Sequence, residues 1–92
     1  MTSVIRRRAV VSGDVEGVGY RVLTRGEAQR HGLAGHVRNL PDGSVEVEVE
    51  GSEVAVTELI ARLSVGPFGS RVDTVEVSPL TPAATLGFSI RR

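Results

Sequence analysis

The chain contains no cysteine, which excludes disulfide bonds, thiolate metal ligands and a thiol nucleophile together. Aromatic residues are scarce, with one tyrosine and two phenylalanines, so a base-stacking surface for single-stranded nucleic acid is not expected. Net charge is lacking too, because 11 basic side chains balance 11 acidic ones, whereas general nucleic-acid binders carry a basic excess. A small anionic ligand stays open, since it needs only a local site.

Long apolar segments are also missing. No stretch approaches the length of a membrane span, and the basic segment Met1–Arg8 is not followed by the apolar run of a secretory signal. We therefore expect a cytoplasmic protein without membrane contact. The 92 residues suffice for one compact domain, which we expect to span residues 1–92 and to act as a monomer.

Hydrophobic periodicity predicts alternating strands and helices. Strands are predicted at residues 4–12, 35–40, 44–50, 72–77 and 86–90, and helices at 20–31 and 53–64. The order β-α-β-β-α-β with a short extra C-terminal strand predicts an α+β fold, the ferredoxin-like two-layer sandwich. In that arrangement both helices cover one face of an antiparallel sheet.

The charged residues outside the loops suggest no metal site. Glu46, Glu48 and Glu50 alternate with valines along one strand, which predicts a solvent-exposed row of carboxylates that need not converge. His31 and His36 lack a partner pattern for metal binding, and the run of arginines at positions 6–8 is most simply a solvated terminus. We expect neither a metal nor another cofactor.

A glycine-rich segment between the first strand and the first helix is the most informative stretch. It reads Glu16-Gly17-Val18-Gly19-Tyr20-Arg21, and backbone N–H groups at a helix N-terminus lack intrahelical partners. Glycines let such groups converge on one point, which favours a phosphate. Arg21 stands in the first helical turn, where the helix dipole disfavours a cation unless an anion is bound. The glycines alone do not distinguish a phosphate site from a tight turn.

Motifs along the whole chain resemble the acylphosphatase family. Residues 13–21 read GDVEGVGYR, close to the family pattern G-x-V-Q-G-V-G-F-R, and residues 32–35 match G-L-x-G. Residues 37–46 match V-R-N-x-x-D-G-x-V-E, and residues 66–72 match G-P-x-x-A-x-V except for one residue. The departures are Glu16 for Gln, Tyr20 for Phe and Ser70 for Ala.

The resemblance implies hydrolysis of acyl phosphates to a carboxylate and inorganic phosphate. It implies that Arg21 binds the phosphoryl oxygens and that Asn39 positions the attacking water. The backbone N–H groups of Glu16, Gly17, Val18, Gly19 and Tyr20 would complete the phosphate cradle. The carboxylate of Glu16 lies beside this anion site in the sequence and could weaken binding unless it points outward.

Two other functions are consistent with the same residues. The cradle could bind phosphate or carbamoyl phosphate without turnover. The chain could also be related to the acylphosphatase-like domain of a hydrogenase maturation protein, although that domain is expected to carry a proline directly after the motif arginine, where this chain has Val22.

Overall fold

A computed structural model describes residues 3–17 and 19–92 of the chain. The described residues form seven elements in the predicted order. The elements are β1 (Val4–Asp14), α1 (Tyr20–Arg30), β2 (Ala34–Asn39), β3 (Val45–Ser52), α2 (Glu53–Leu63), β4 (Arg71–Leu80) and β5 (Phe88–Arg91). None of the helices described is long and apolar enough to cross a membrane.

The strands form one five-stranded sheet in the order β4-β1-β3-β2-β5. The first four are antiparallel to their neighbours, which confirms the ferredoxin-like arrangement. The short last strand differs from the prediction, because β5 pairs in parallel with β2 and makes the sheet mixed. It does so because the chain returns across the sheet between β4 and β5 and arrives in the direction of β2.

Strand β4 extends to Leu80, beyond the predicted end at Val77. Proline cannot donate a ladder hydrogen bond, which makes Pro79 unfavourable inside a central strand. Since β4 is an edge strand, it tolerates a proline that pairs with Arg7 of β1.

Both helices cover one face of the sheet, as predicted. Helix α1 contacts β2 and β5, whereas α2 contacts β1 and β3. The core between the layers is aliphatic apart from two aromatic rings, as the composition requires. Its members with at most 1% exposure are Ala9, Val11, Val15, Tyr20, Ala28, Val37, Val45, Val47, Val49, Val56, Leu59 and Leu63.

Helix α1 ends in a hydrogen-bonded glycine cap. Gly32 has a φ of 68°, its N–H donates to the carbonyl of Gln29, and the N–H of Leu33 donates to the carbonyl of Ala28. These two bonds define a Schellman motif, and Leu33 is buried behind it. The cap fixes the point at which the chain enters β2, the strand that ends at Asn39.

The opposite face of the sheet corrects the prediction of a solvated glutamate row. Glu46 is 3% exposed and Glu50 is 7% exposed, and Arg6, expected at a solvated terminus, is 7% exposed. Arg6 forms 3.0 Å ion pairs with both Glu48 and Glu50. The segment between β4 and β5 covers this face, since the N–H of Ala83 donates to Glu50 at 2.7 Å. The alternation of residues within one strand cannot show that another segment packs on its polar face, because the packing residues lie about thirty positions later in the chain.

The same face also brings side chains together that the sequence did not predict to converge. His36 Nε2 and one oxygen each of Glu46 and Glu48 lie within 4.8 Å of one another. Arg8 and Arg38 form ion pairs with the Glu46 carboxylate at 2.7 and 2.8 Å. Since guanidinium groups already neutralise these carboxylates, the group is an ion-pair network rather than an attractive cation site.

Candidate active site

The loop from β1 to α1 is shaped by two glycines in left-handed conformation. After β1 ends at Asp14, Val15 is buried at 1% exposure and anchors the loop to the core. Gly17 and Gly19 have φ angles of 73° and 77°, a region that other residues enter only with strain. Val18 lies between them and outside the described residues, so its expected role in the cradle stays a prediction.

The N-terminus of α1 is left open toward this loop. Gly19 is the N-cap, no side chain among the described residues caps the helix, and the first turn contains no acidic residue. The first hydrogen bond of the helix runs from the N–H of Leu23 to the carbonyl of Gly19 at 2.9 Å. Helix α2 is different, because the hydroxyl of Ser52 accepts the N–H of Ala55 and Glu53 stands in its first turn. An anion at the start of α1 would therefore meet N–H donors that no side chain satisfies.

Arg21 and Asn39 meet in one cavity at this terminus. The cavity has a volume of about 120 Å³, and Gly17, Gly19 and Tyr20 also line it. Arg21 is half-buried and makes no hydrogen bond or ion pair with any residue that the structure describes. Arginine presents a planar fork of donors that matches the oxygens of a phosphoryl group.

Asn39 contributes the second unusual polar group. It ends β2, and its Oδ1 atom is buried without a hydrogen-bond partner. Among the side-chain atoms of residues 3–17 and 19–92, no other buried nitrogen or oxygen lacks a partner. A buried acceptor without a partner costs about 1 to 3 kcal/mol, which a water or ligand in the cavity would recover.

The Glu16 carboxylate does not line this cavity. The residue is exposed, and its Oε2 lies 3.6 Å from the position that a Cβ atom on Gly43 would occupy. Gly43 belongs to the turn between β2 and β3, so the Glu16 side chain extends toward that turn. The sequence alone left the direction of this side chain open.

Three apolar residues complete the wall of the cavity, and the sequence did not single them out. They are Val15, Val22 and Ile90. Val22 directly follows the motif arginine Arg21, and this position could have indicated that it lines the cavity. Ile90 lies in β5, and nothing in the sequence indicated that β5 would add to the sheet beside β2.

The sequence model of the acylphosphatase family matches residues 7–90, a span that contains every motif of the candidate site. The chain belongs to the acylphosphatase family. A protein named acylphosphatase from Anaeromyxobacter dehalogenans is 50% identical over 92 residues, which cover 99% of both chains.

Solved structures of acylphosphatases have the same fold. The crystal structure of acylphosphatase from Bacillus subtilis superposes with a TM-score of 0.93 at 34% identity, covering 96% of this chain and 99% of that one. Part of full-length HypF also matches, with a TM-score of 0.90 at 25% identity, but this chain covers 12% of that protein. The chain therefore spans nearly all of the Bacillus subtilis acylphosphatase and a small part of HypF.

Proposed function

We propose that this member of the acylphosphatase family hydrolyses acyl phosphates with Arg21 and Asn39 as its catalytic side chains. The observation that carries the proposal is the pairing of two unsatisfied groups in one cavity. The guanidinium of Arg21 has no partner among the described residues, and the buried Oδ1 of Asn39 has none either. The guanidinium can bind an anionic phosphoryl group, and the amide oxygen can accept a hydrogen bond from water. The phosphoryl group and water are the two reactants of phosphate hydrolysis.

The phosphoryl group would lie against the start of α1. The N–H groups of Gly17, Gly19 and Tyr20, all of which line the cavity, would donate to its oxygens together with Arg21. The transition state of phosphoryl transfer is loose and spreads charge over three oxygens, so fixed donors supply most of the catalysis. The N–H groups of Glu16 and Val18 remain expected members of the same cradle.

The reaction needs little further chemistry. Asn39 Oδ1 accepts a hydrogen bond from water and holds it in line with the bond that breaks. The water oxygen attacks phosphorus, the bond between phosphorus and the acyl oxygen breaks, and the bonding pair leaves with the carboxylate. The proton of the water passes to the phosphate. Because a carboxylate is a good leaving group, this route requires no general acid.

We infer from the same arrangement that a small-molecule acyl phosphate and inorganic phosphate are the ligands, without a metal or another cofactor in the reaction. Activity that persists in excess EDTA would support metal independence. The cytoplasmic location and the monomeric state stay predictions from the sequence. Light scattering coupled to size-exclusion chromatography would test the second.

Single variants with a matched control test the roles. Arg21→Ala and Asn39→Ala are expected to lower kcat/KM for benzoyl phosphate by at least about 100-fold, the typical loss of one oriented donor. Arg25→Ala is the control, because Arg25 lies one turn further along α1, is also half-buried and does not line the cavity. It should keep activity within about twofold, since changes away from the site have small effects.

Two outcomes would contradict the proposal. Wild-type turnover by either cavity variant, with its fold intact by circular dichroism, would exclude that residue from catalysis. Stabilisation of the wild-type protein by inorganic phosphate, without hydrolysis of any acyl phosphate, would favour a binding module that uses the same cradle.

A further inference from the structure

The cavity at the start of α1 has two chemically different sides. The backbone of Gly17 and Gly19 and the side chains of Arg21 and Asn39 form the polar side. The rest of the lining consists of Tyr20, whose hydroxyl is already bonded to the carbonyl of Leu63, and the apolar residues Val15, Val22 and Ile90. An acyl phosphate is divided in the same way, because its phosphoryl end is an anion and its acyl end varies in chemistry.

Ile90 is held beside Asn39 by the parallel pairing of β5 with β2. The register places Ile90 opposite Val37 and Arg91 opposite Arg38. Paired residues share a face of the sheet, so Ile90 lies on the helix side with Val37, and Asn39 follows on that side two residues later. Ile90 is partly buried and packs against the core, which fixes its position.

Val22 approaches the cavity from the helix. It lines the cavity and is 59% exposed, so more than half of its surface stays accessible to solvent. The start of α1 therefore presents Arg21 and, immediately after it, an accessible valine. Covering that surface with an apolar group would gain about 25 cal/mol for each Å² removed from water.

The apolar wall offers no partner for a charged acyl group. Among the residues described, Arg21 is the single charged side chain that lines the cavity, and in the proposed function it binds the phosphoryl group. A second carboxylate on the acyl group would meet Val22 and Ile90 and lose water without gaining a partner. The wall thus disfavours anionic acyl groups and favours uncharged apolar ones.

We propose that Val22 and Ile90 form the acyl subsite and make this chain select acyl phosphates with uncharged, apolar acyl groups. This specificity rests on the proposed function of Arg21 and Asn39. It assigns the two side chains a role in substrate selection, separate from the polar groups that act on the phosphoryl end.

The test compares three substrates on four proteins. Acetyl, benzoyl and succinyl phosphate represent a small, an apolar and an anionic acyl group, and each kcat/KM is divided by the rate of uncatalysed hydrolysis. The proteins are the wild type, Val22→Ala, Ile90→Ala and the control Val54→Ala. Val54 occupies the first turn of α2 with 68% exposure and lies outside the cavity lining.

In the wild type we expect benzoyl phosphate to be preferred over acetyl phosphate, and succinyl phosphate to be the poorest substrate. Val22→Ala and Ile90→Ala should each lower the benzoyl-to-acetyl ratio by about 3- to 10-fold, mainly through KM, because each removes part of an apolar contact. Val54→Ala should leave the ratio unchanged. Ile90 also packs on the core, so the exposed Val22 keeps the test valid if Ile90→Ala does not fold.

An unchanged ratio in Val22→Ala, or a wild-type preference for succinyl phosphate, would overturn the acyl subsite while leaving the hydrolase assignment in place. Failure of the wild type to hydrolyse any of the three substrates would instead overturn the proposed function.

Discussion

The hydroxyl of Tyr20 donates a 2.7 Å hydrogen bond to the carbonyl oxygen of Leu63, so the first residue of α1 is tied to the last residue of α2. The ring is 1% exposed, and a Cβ atom on Gly66 would lie 3.3 Å from its edge. Tyr20 therefore links the open helix terminus at the candidate site to the end of the other helix. The family's usual phenylalanine would keep the packing of the ring but could not form this bond.

Tyr20→Phe should lower the free energy of unfolding by about 1 kcal/mol, the typical net value of one hydrogen bond, with a larger loss if the Leu63 carbonyl finds no water. Activity should stay within about threefold, because the substitution keeps the backbone N–H of the cradle and removes only a hydroxyl that is bonded to Leu63. Urea unfolding and benzoyl phosphate kinetics measure the two effects.

The pH dependence of stability tests the burial of the Tyr20 phenol. Burial raises the pKa of the Tyr20 phenol above its ordinary value of 10.0. A raised pKa means that the stabilising effect is complete below pH 10 and declines as the pH rises above it. The stability difference between wild type and Tyr20→Phe should therefore shrink above about pH 10. A difference that stays constant to pH 11 would show that the phenol is not buried as described.

Gly19→Ala tests whether the left-handed conformation of the loop is required. A Cβ atom at Gly19 would meet no neighbour within 4 Å, so any cost comes from its φ of 77° and not from a clash. We expect a loss of about 1 to 2 kcal/mol in stability, and a fall of about 10-fold or more in kcat/KM as the N–H donors rotate.

Gly26→Ala is the matched control for this variant. Gly26 lies in the interior of the same helix, also with open space around a Cβ atom, and it has no left-handed φ. Alanine there should stabilise the chain by about 0.5 to 1 kcal/mol without changing activity. Equal effects of the two substitutions would show that the conformation of Gly19 has no special role.

Glu16→Gln restores the residue that the family usually carries. The carboxylate extends toward Gly43 and does not line the cavity. We therefore expect the KM for benzoyl phosphate to fall by less than about fivefold. A fivefold change corresponds to about 1 kcal/mol, which is the interaction energy of two unit charges about 4 Å apart in water. The difference should vanish in high salt, which screens exposed charges. Glu76→Gln, an exposed residue of β4, controls for net charge. A salt-independent gain of 100-fold would mean that Glu16 enters the cavity.

The local features of the fold could be predicted from the sequence. Valines alternate with glutamates along β3, which indicated that one face of this strand is apolar, and Val45, Val47 and Val49 do lie in the core. The family motifs identified Arg21 and Asn39, and the structure brings the two into one cavity. These signals succeed because each depends on neighbours in the chain or on a pattern of known spacing.

Features that depend on distant segments could not be predicted. The parallel pairing of β5 with β2 brings Ile90 to the site. This strand has four residues, too few for its hydrophobic pattern to indicate which strand it pairs with. The burial of Glu46 and Glu50 depends on a segment with no periodicity of its own. Ala84 in this segment has a φ of 54°, a left-handed conformation for which an alanine gives no sequence signal.

Glu46→Gln should lower the free energy of unfolding at neutral pH. The difference in this free energy between the variant and the wild type should become smaller in acid. Burial of Glu46 raises its pKa, but hydrogen bonds from Arg38, His36 and Arg8 outweigh burial and lower the pKa to about 2 from an ordinary value of 4.5. A lowered pKa means that the stabilising effect is complete above pH 4.5 and is lost as the pH falls toward 2. In this window Glu46 should contribute a slope of up to about 1.4 kcal/mol per pH unit to the free energy of unfolding.

Urea unfolding at a series of pH values measures that slope in the wild type and in Glu46→Gln. At pH 7 the variant should lose about 1 to 3 kcal/mol, because the amide that replaces the carboxylate would form weaker hydrogen bonds to Arg8 and Arg38, which are partly exposed and keep some of their water. Glu76→Gln removes the same charge from an exposed site and should follow the wild-type curve. Parallel curves for wild type and Glu46→Gln between pH 7 and pH 3 would show that the ion-pair network does not hold this carboxylate in its charged form.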